Sequence, residues 1–345
     1  MWHGIYSAAK DLLVGTLEAS GLLWRQMDKR LSGKVLVLMY HRVLPELGRD
    51  SFSAPGIIVT PDTFDRHLGW IRAHLYPLTP VEFDQILAGS RSPPRRACLV
   101  TFDDGWYDNL VYALPALSRH SVPALLFAAT DFIGASQCFW QERLARLFYA
   151  AWQAGSRASG LLERVGAATP LNLSRTAARR EIRDAVTRKK GLSPCEIKSL
   201  VQAVEDALSE LRIALPRHFG DDRFLSWAEL QHLTASRLVT VGSHAMSHFP
   251  LPRLPQDVME AELRRSRAIL EARLNTGVDW FAYPNGDYDA TSVAMVAASG
   301  YRGAFTTQNG AVAPGQDAFT LRRVNMHEGA THTLGRFLSC ISGKQ

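Results

Sequence analysis

The chain has 345 residues, 46% of them apolar, enough for one large α/β domain or two ordinary ones with a substantial core. Its formal charge of +6 would suit an anionic partner, but Lys and Arg are scattered among acids and no compact basic block forms, which argues against nucleic-acid binding. Cys98, Cys138, Cys195 and Cys340 are widely spaced with no Cys-x-x-Cys pair, so neither a disulfide framework nor a thiolate metal site is suggested, and a cytoplasmic setting fits.

Residues 1–31 carry Ile5, Ala9, Leu12, Leu13, Leu17, Leu22, Leu23, Trp24 and Met27 at helical spacing, with Lys10, Arg25, Lys29 and Arg30 between them. This amphipathic segment is expected either to pack on the domain or to touch the inner leaflet of a membrane peripherally; no cleavable signal pattern and no apolar run of ~18 residues is seen. Short apolar, β-branched runs then predict strands at 34–40, 97–102, 123–129, 238–243, 279–283, 301–306 and 319–325. Helices are predicted at 63–74, 109–120, 227–235, 256–274 and 290–299, with Asp62 placed to cap the first and Gly300 to end the last. Such alternation implies a parallel sheet, open or closed into a barrel. It breaks over 136–223, where an amphipathic run at 144–152, a charged segment at 175–190 and a helical pattern at 193–211 read as a helical insertion. The chain therefore divides into the N-terminal segment 1–31, a first barrel part 32–135, the insertion 136–223 and a second barrel part 224–345.

Asp103 and Asp104 follow a predicted strand in Thr101-Phe102-Asp103-Asp104-Gly105, and His244 and His248 follow another. The C-terminal edge of a parallel sheet is where sites assemble. Imidazoles at i and i+4 can reach one ion, and three ligands with an open fourth position suit a catalytic zinc, leaving the spare aspartate as a base. A zincin protease is disfavoured because Ala245 stands where Glu would follow the first His. His41 and His327 also end predicted strands, and either could serve as an acid, with His41 preferred. Trp106, Tyr107, Tyr283, Pro284, Asn285 and Tyr288 are candidates to line a substrate groove through ring stacking and amide hydrogen bonds, whereas Trp140 reads better as core.

The ordered motifs resemble the polysaccharide deacetylases of carbohydrate esterase family 4. Thr101-Phe102-Asp103-Asp104-Gly105, Gly242-Ser243-His244-Ala245-Met246-Ser247-His248, Phe281-Ala282-Tyr283-Pro284-Asn285-Gly286 and Leu321-Arg322-Arg323-Val324-Asn325 carry the likeness. Leu38-Met39-Tyr40-His41-Arg42-Val43 is similar to the opening strand of a bacterial branch linked to exopolysaccharide and cell-surface glycans. The resemblance, which covers about residues 34–330 apart from the helical insertion, implies a distorted β/α barrel, Asp104, His244 and His248 as ligands of a divalent metal such as zinc, and Asp103 as general base. It also implies hydrolysis of N-acetyl groups on N-acetylhexosamine units of a glycan. Rival readings are an O-acyl esterase, a deacetylase of a lipid- or nucleotide-linked sugar, or a catalytically silent glycan-binding module. Two departures stand out. Ala282 occupies the place of the Arg that orients the base in many members, so Arg323 or Arg322 is expected to replace it, and Ala245 replaces a Ser or Thr after the first His.

Overall fold

The computed structural model describes residues 2–45, 51–215 and 222–343, with side chains from residue 11 onward, so the side chains of Ile5, Ala9 and Lys10 lie outside it. Helices α1 (Trp2–Ala19) and α2 (Leu22–Arg30) precede β1 (Val35–Tyr40), β2 (Arg42–Val43) and β3 (Ile58–Val59). Then come α3 (Pro61–His74), β4 (Tyr76–Pro77), α4 (Pro80–Leu87), β5 (Ala97–Phe102), α5 (Leu114–His120) and β6 (Ala124–Ala128). Helices α6 (Trp140–Gln153), α7 (Ser159–Arg164), α8 (Arg175–Thr187) and α9 (Pro194–Glu210) follow. The chain continues through α10 (Trp227–Ala235), β7 (Val239–Ser243), α11 (Gln256–Leu274), β8 (Trp280–Ala282), α12 (Ala290–Ala298), β9 (Gly303–Phe305), β10 (Ala311–Val312), β11 (Val324–Asn325), α13 (Glu328–Thr331) and α14 (Leu334–Ser342).

The runs VLVLMY of β1 and ACLVTF of β5 are buried at every position, as strands covered on both faces of a parallel sheet must be. Strands β1, β5, β6, β7, β8 and β9 lie side by side in parallel. Leu321 bridges Phe305 of β9, and Val324 and Asn325 pair with Leu38 and Met39 of β1. Residues 321–325 thus join the two sides of the sheet and curl it into a distorted barrel. The closing run is shorter than the predicted 319–325 because Asp317 accepts from Phe319 N and Thr320 Oγ1 (both 2.9 Å), bending the chain before the ladder begins.

Local chemistry sets the helix boundaries. Thr60, not Asp62, caps α3: its hydroxyl accepts from Thr63 N at 3.2 Å, Pro61 fills the first turn, and Asp62 sits inside that turn. Ser226 and Glu229 form a reciprocal capping box on α10. The predicted 109–120 helix starts as a π-helical turn, Asn109–Ala113, before α5. Gly300, with φ +85°, follows the end of α12.

Two compact units are formed, one from Met1–Leu47, Pro55–Gly134 and Phe224–Gln345, the other from Gly48–Ala54 and Ala135–Arg223. In the first, Leu23, Met27 and Leu31 of the N-terminal segment are buried with the barrel core, and Arg336 of α14 binds Asp11 of α1. Leu12 and Leu13 on α1 remain 75% and 59% exposed. The second unit has its own core of Leu144, Phe148, Ile182, Val204 and Leu208, joined by Phe52, with Trp140 packed at its side. Its described regular elements, α6 to α9, are all helices.

Candidate metal centre and catalytic site

Asp103 and Asp104 emerge where β5 ends, and His244 follows β7 two strands away in the same parallel sheet. The turn after β5 is tight: Asp104 has φ +79° and Gly105 φ +89°, and a Cβ on Gly105 would come 2.9 Å from Ile133 Cδ1. Ala245 and His248 also adopt positive φ, 61° and 59°. Left-handed backbone at non-glycine residues costs on the order of 1 kcal/mol or more each, and it clusters at sites where the fold must aim particular side chains.

One oxygen of Asp104, Oδ1, lies 3.4 Å from His244 Nε2 and 3.3 Å from His248 Nε2. Ligand atoms of these three residues fall within 4.8 Å of one another. His244 Nδ1 is 2.7 Å from the Ala282 carbonyl, which can only accept, so Nδ1 carries the proton and Nε2 presents its lone pair to Asp104 when the ring is neutral. Lone pairs of two imidazoles and an anionic oxygen converging in a buried place repel one another unless a cation or proton sits between them. A two-nitrogen, one-oxygen set suits a divalent metal of the zinc type, so the residues fit the expected ion. Burial alone would push the Asp104 carboxyl up, but the hydrogen bonds of His244 and His248 outweigh it and hold it well below the ordinary carboxylate range.

Asp103 is also buried, 2% exposed, and faces a different set. Arg323 Nη1 and Nη2 donate to its Oδ1 and Oδ2 at 2.6 and 2.7 Å, while Arg323 Nε donates to the Thr306 carbonyl at 2.9 Å. This two-point fork holds the carboxylate in one plane. Burial would raise the Asp103 carboxyl, but the charges of Arg323, His244 and His41 outweigh it and keep its pKa below the ordinary value. His41, directly after β1, places Nε2 3.8 Å from Asp103 Oδ2, and burial pushes its imidazole pKa down despite Asp103 and Asp104. His327 lies at the head of α13, where its carbonyl accepts from Ala330 N and Thr331 Oγ1; burial lowers its imidazole pKa. Arg322 is exposed, its neighbour Arg323 fully buried.

The groove candidates separate. Tyr283 is fully buried, its hydroxyl donating to the Phe319 carbonyl at 3.0 Å, and Pro284 is buried beside it, so both pack the end of the sheet and present no face to a groove. Trp106 is 1% exposed and likewise has no free face. Tyr107 and Tyr288 are half-buried, and Asn285 is exposed with its amide on Asp287. Three further polar residues support the site without having been singled out in the sequence. Glu262 of α11 accepts from Met246 N and Ser247 N at 2.7 and 2.9 Å, fixing the loop between the two histidines. Asp108 accepts from Arg42 Nε and Val43 N, both at 2.8 Å, and Asn109 Nδ2 donates to the His41 carbonyl at 2.9 Å, tying the chain after β1 to the chain after β5. The available signals were an acid on the buried face of α11, beside Met259 and Leu263, and an arginine two residues past the apolar run of β1.

A sequence model described as polysaccharide deacetylase matches residues 90–304. A protein of Bacillus subtilis, named putative polysaccharide deacetylase YxkH, is 28% identical over 125 residues, covering 36% of this chain and 41% of that protein. The chain thus matches less than half of that relative's length. Among solved structures, the Streptococcus pyogenes deacetylase PplD in complex with acetate superposes with a TM-score of 0.57 at 18% identity, over 89% of this chain and 98% of that one. IcaB from Ammonifex degensii gives a TM-score of 0.57 at 20% identity, covering 89% and 97%. These structures share the fold.

Proposed function

Because the chain belongs to the polysaccharide deacetylase family, we propose that it is a metal-dependent hydrolase that removes N-acetyl groups from N-acetylhexosamine units of a cell-surface glycan or its precursor. The observation that carries the reading is the pairing of two adjacent, buried aspartates with different partners: Asp104 with two imidazoles, Asp103 with a guanidinium. One acid is built to hold an ion and the other to stay ionised beside it.

Asp104, His244 and His248 would hold the divalent ion, zinc being the proposed one. When bound, it supplies Lewis-acid polarisation of the acyl carbonyl and makes a water easier to ionise. Asp103, held ionised and in one plane by Arg323, takes the proton as the water oxygen bonds to the acyl carbon. His41, 3.8 Å from Asp103, is the proposed donor to the departing nitrogen as the carbon–nitrogen bond breaks, releasing acetate and a free amine. Since burial lowers the His41 pKa, the proton it donates is best supplied within the cycle by Asp103. Tyr107, Tyr288 and Asn285 remain the proposed sugar contacts.

The test is acetate release from a panel of N-acetylhexosamine oligomers, O-acetylated glycans and nucleotide-linked N-acetylhexosamine, with Asp103→Asn as control. Release from the N-acetylated oligomers by the wild type and its loss in the variant support the reading. Release confined to the O-acetylated members makes the protein an esterase, release confined to nucleotide-linked sugar moves the substrate to a precursor, and glycan binding without release from any member makes it a silent module.

A further inference from the structure

Trp106 follows the aspartate pair, and its indole Nε1 donates to Asp104 Oδ2 at 2.8 Å. The other oxygen of that carboxylate, Oδ1, is the one that faces His244 and His248. Donation to Oδ2 therefore occupies one side of the carboxylate and leaves the other for the ion. A carboxylate without such a donor can rotate and offer both oxygens, so the indole N–H would favour an ion held through Oδ1 alone.

The indole is itself held. The Arg42 guanidinium carbon lies 3.8 Å from the Trp106 ring centroid, and the Phe224 ring stacks on it at 4.0 Å with an interplanar angle of 22°. Two groups this close to one centroid cannot share a face, so the indole is sandwiched between a cation and an aromatic ring. Arg42 is fully buried and anchored by Asp108, which also binds Val43 N. A side chain needed only to fill the core could be any large apolar group; here the one polar atom of the ring is aimed at a ligand carboxylate.

We infer that Trp106 is a positioning residue for the metal: clamped between Arg42 and Phe224, its N–H holds Asp104 as a one-oxygen ligand and tightens the ion's binding. The inference rests on the metal reading above. Partners of this kind behind a ligand contribute about 10- to 100-fold in metal affinity.

The test is Zn²⁺ affinity of metal-stripped protein, measured by competition with a chromophoric chelator, for wild type, Trp106→Phe and a site-specific replacement of Trp106 by 3-benzothienylalanine. The last keeps the shape of the indole and removes only the N–H, so it carries the comparison if Trp106→Phe does not fold. Both variants are expected to bind Zn²⁺ about 10- to 100-fold more weakly, the benzothienyl protein with an unchanged apo melting temperature, and its Co²⁺ form with a weaker visible absorption as the carboxylate rotates to offer both oxygens. Wild-type affinity in the folded benzothienyl protein overturns the inference while leaving the metal reading intact. Failure of the wild type itself to bind Zn²⁺ or Co²⁺ overturns the metal reading, and the inference with it.

Discussion

Replacing Arg323 by Met removes both hydrogen bonds to Asp103 and the one to the Thr306 carbonyl, in a place where the Arg323 side chain is 0% and the Asp103 side chain 3% exposed. Breaking a buried pair by deleting one partner costs about 3–5 kcal/mol, because the remaining charge is left without compensation. Asp103 has a way to limit that cost: burial is the largest influence on its carboxyl and pushes its pKa up once the guanidinium is gone. It can then take a proton, which softens the loss of stability but abolishes the base. Arg323→Met should therefore lower the urea midpoint of the barrel unit and reduce acetate release by roughly 10² to 10⁴, the range for a general base. Arg323→Lys keeps the charge but not the two-point fork, so it should fall between wild type and Met. In a double-mutant cycle, Asp103→Leu with Arg323→Met should cost less stability than the two single changes summed, since no charge is stranded. Strictly additive losses, or Arg323→Met with wild-type stability and turnover, would refute the pairing and its role.

Other outcomes follow from the same geometry. Asp104→Ala, His244→Ala and His248→Ala should each abolish or greatly weaken metal binding measured by equilibrium dialysis, whereas Asp103→Asn should keep the metal and lose turnover by roughly 10² to 10⁴. His67 is buried between the Tyr40 hydroxyl (3.1 Å) and the Thr331 carbonyl (2.7 Å), and burial lowers its pKa to about 4. An unfolded chain takes up that proton near pH 6.5, so the stability His67 contributes is complete above 6.5 and drains away as pH falls toward 4. The loss is on the order of 3 kcal/mol, and unfolding by urea at pH 7 and pH 4.5 should show a steeper decline for wild type than for His67→Phe. Leu23, Met27 and Leu31 are 0 to 2% exposed, so Leu23→Ala should cost about 2–5 kcal/mol in thermal or urea melts, and deletion of residues 1–31 should destabilise the barrel. Exposed Leu12, Leu13, Arg25 and Lys29 still leave a peripheral contact with anionic lipid as a proposal, checked by salt-sensitive vesicle binding of the intact chain. Among the described residues no helix is long and apolar enough to cross a membrane.

The strands were legible because runs such as Val35–Tyr40 and Ala97–Phe102 are apolar throughout, and the carboxylates and histidines stood out because they break those runs at the end. Position along the chain could not say which of Arg322 and Arg323 points inward. Tertiary partners decide it: Arg323 turns in to Asp103 and the Thr306 carbonyl, groups 220 and 17 residues away in the chain. Tyr283 and Trp106 look in sequence like groove aromatics, yet each spends its polar atom inside the fold, on the Phe319 carbonyl and on Asp104. Asp62 resembled a cap, but Pro61 at the first helical position shifts that task to Thr60. Glu262 and Asp108 bind backbone amides 16 and 65 residues away in the chain; the pattern of α11 marks Glu262 as a buried acid, but local pattern does not name either partner.

The central claim is that one divalent ion held by Asp104, His244 and His248 is required for deacylation. The most direct measurement is metal content together with acetate release on one preparation, before chelation, after chelation, and after adding back Zn²⁺ or Co²⁺. The account predicts close to one bound ion per chain, loss of acetate release on stripping, recovery on restoration, and none of this in His244→Ala. Acetate release that persists in protein shown to be free of metal would contradict it.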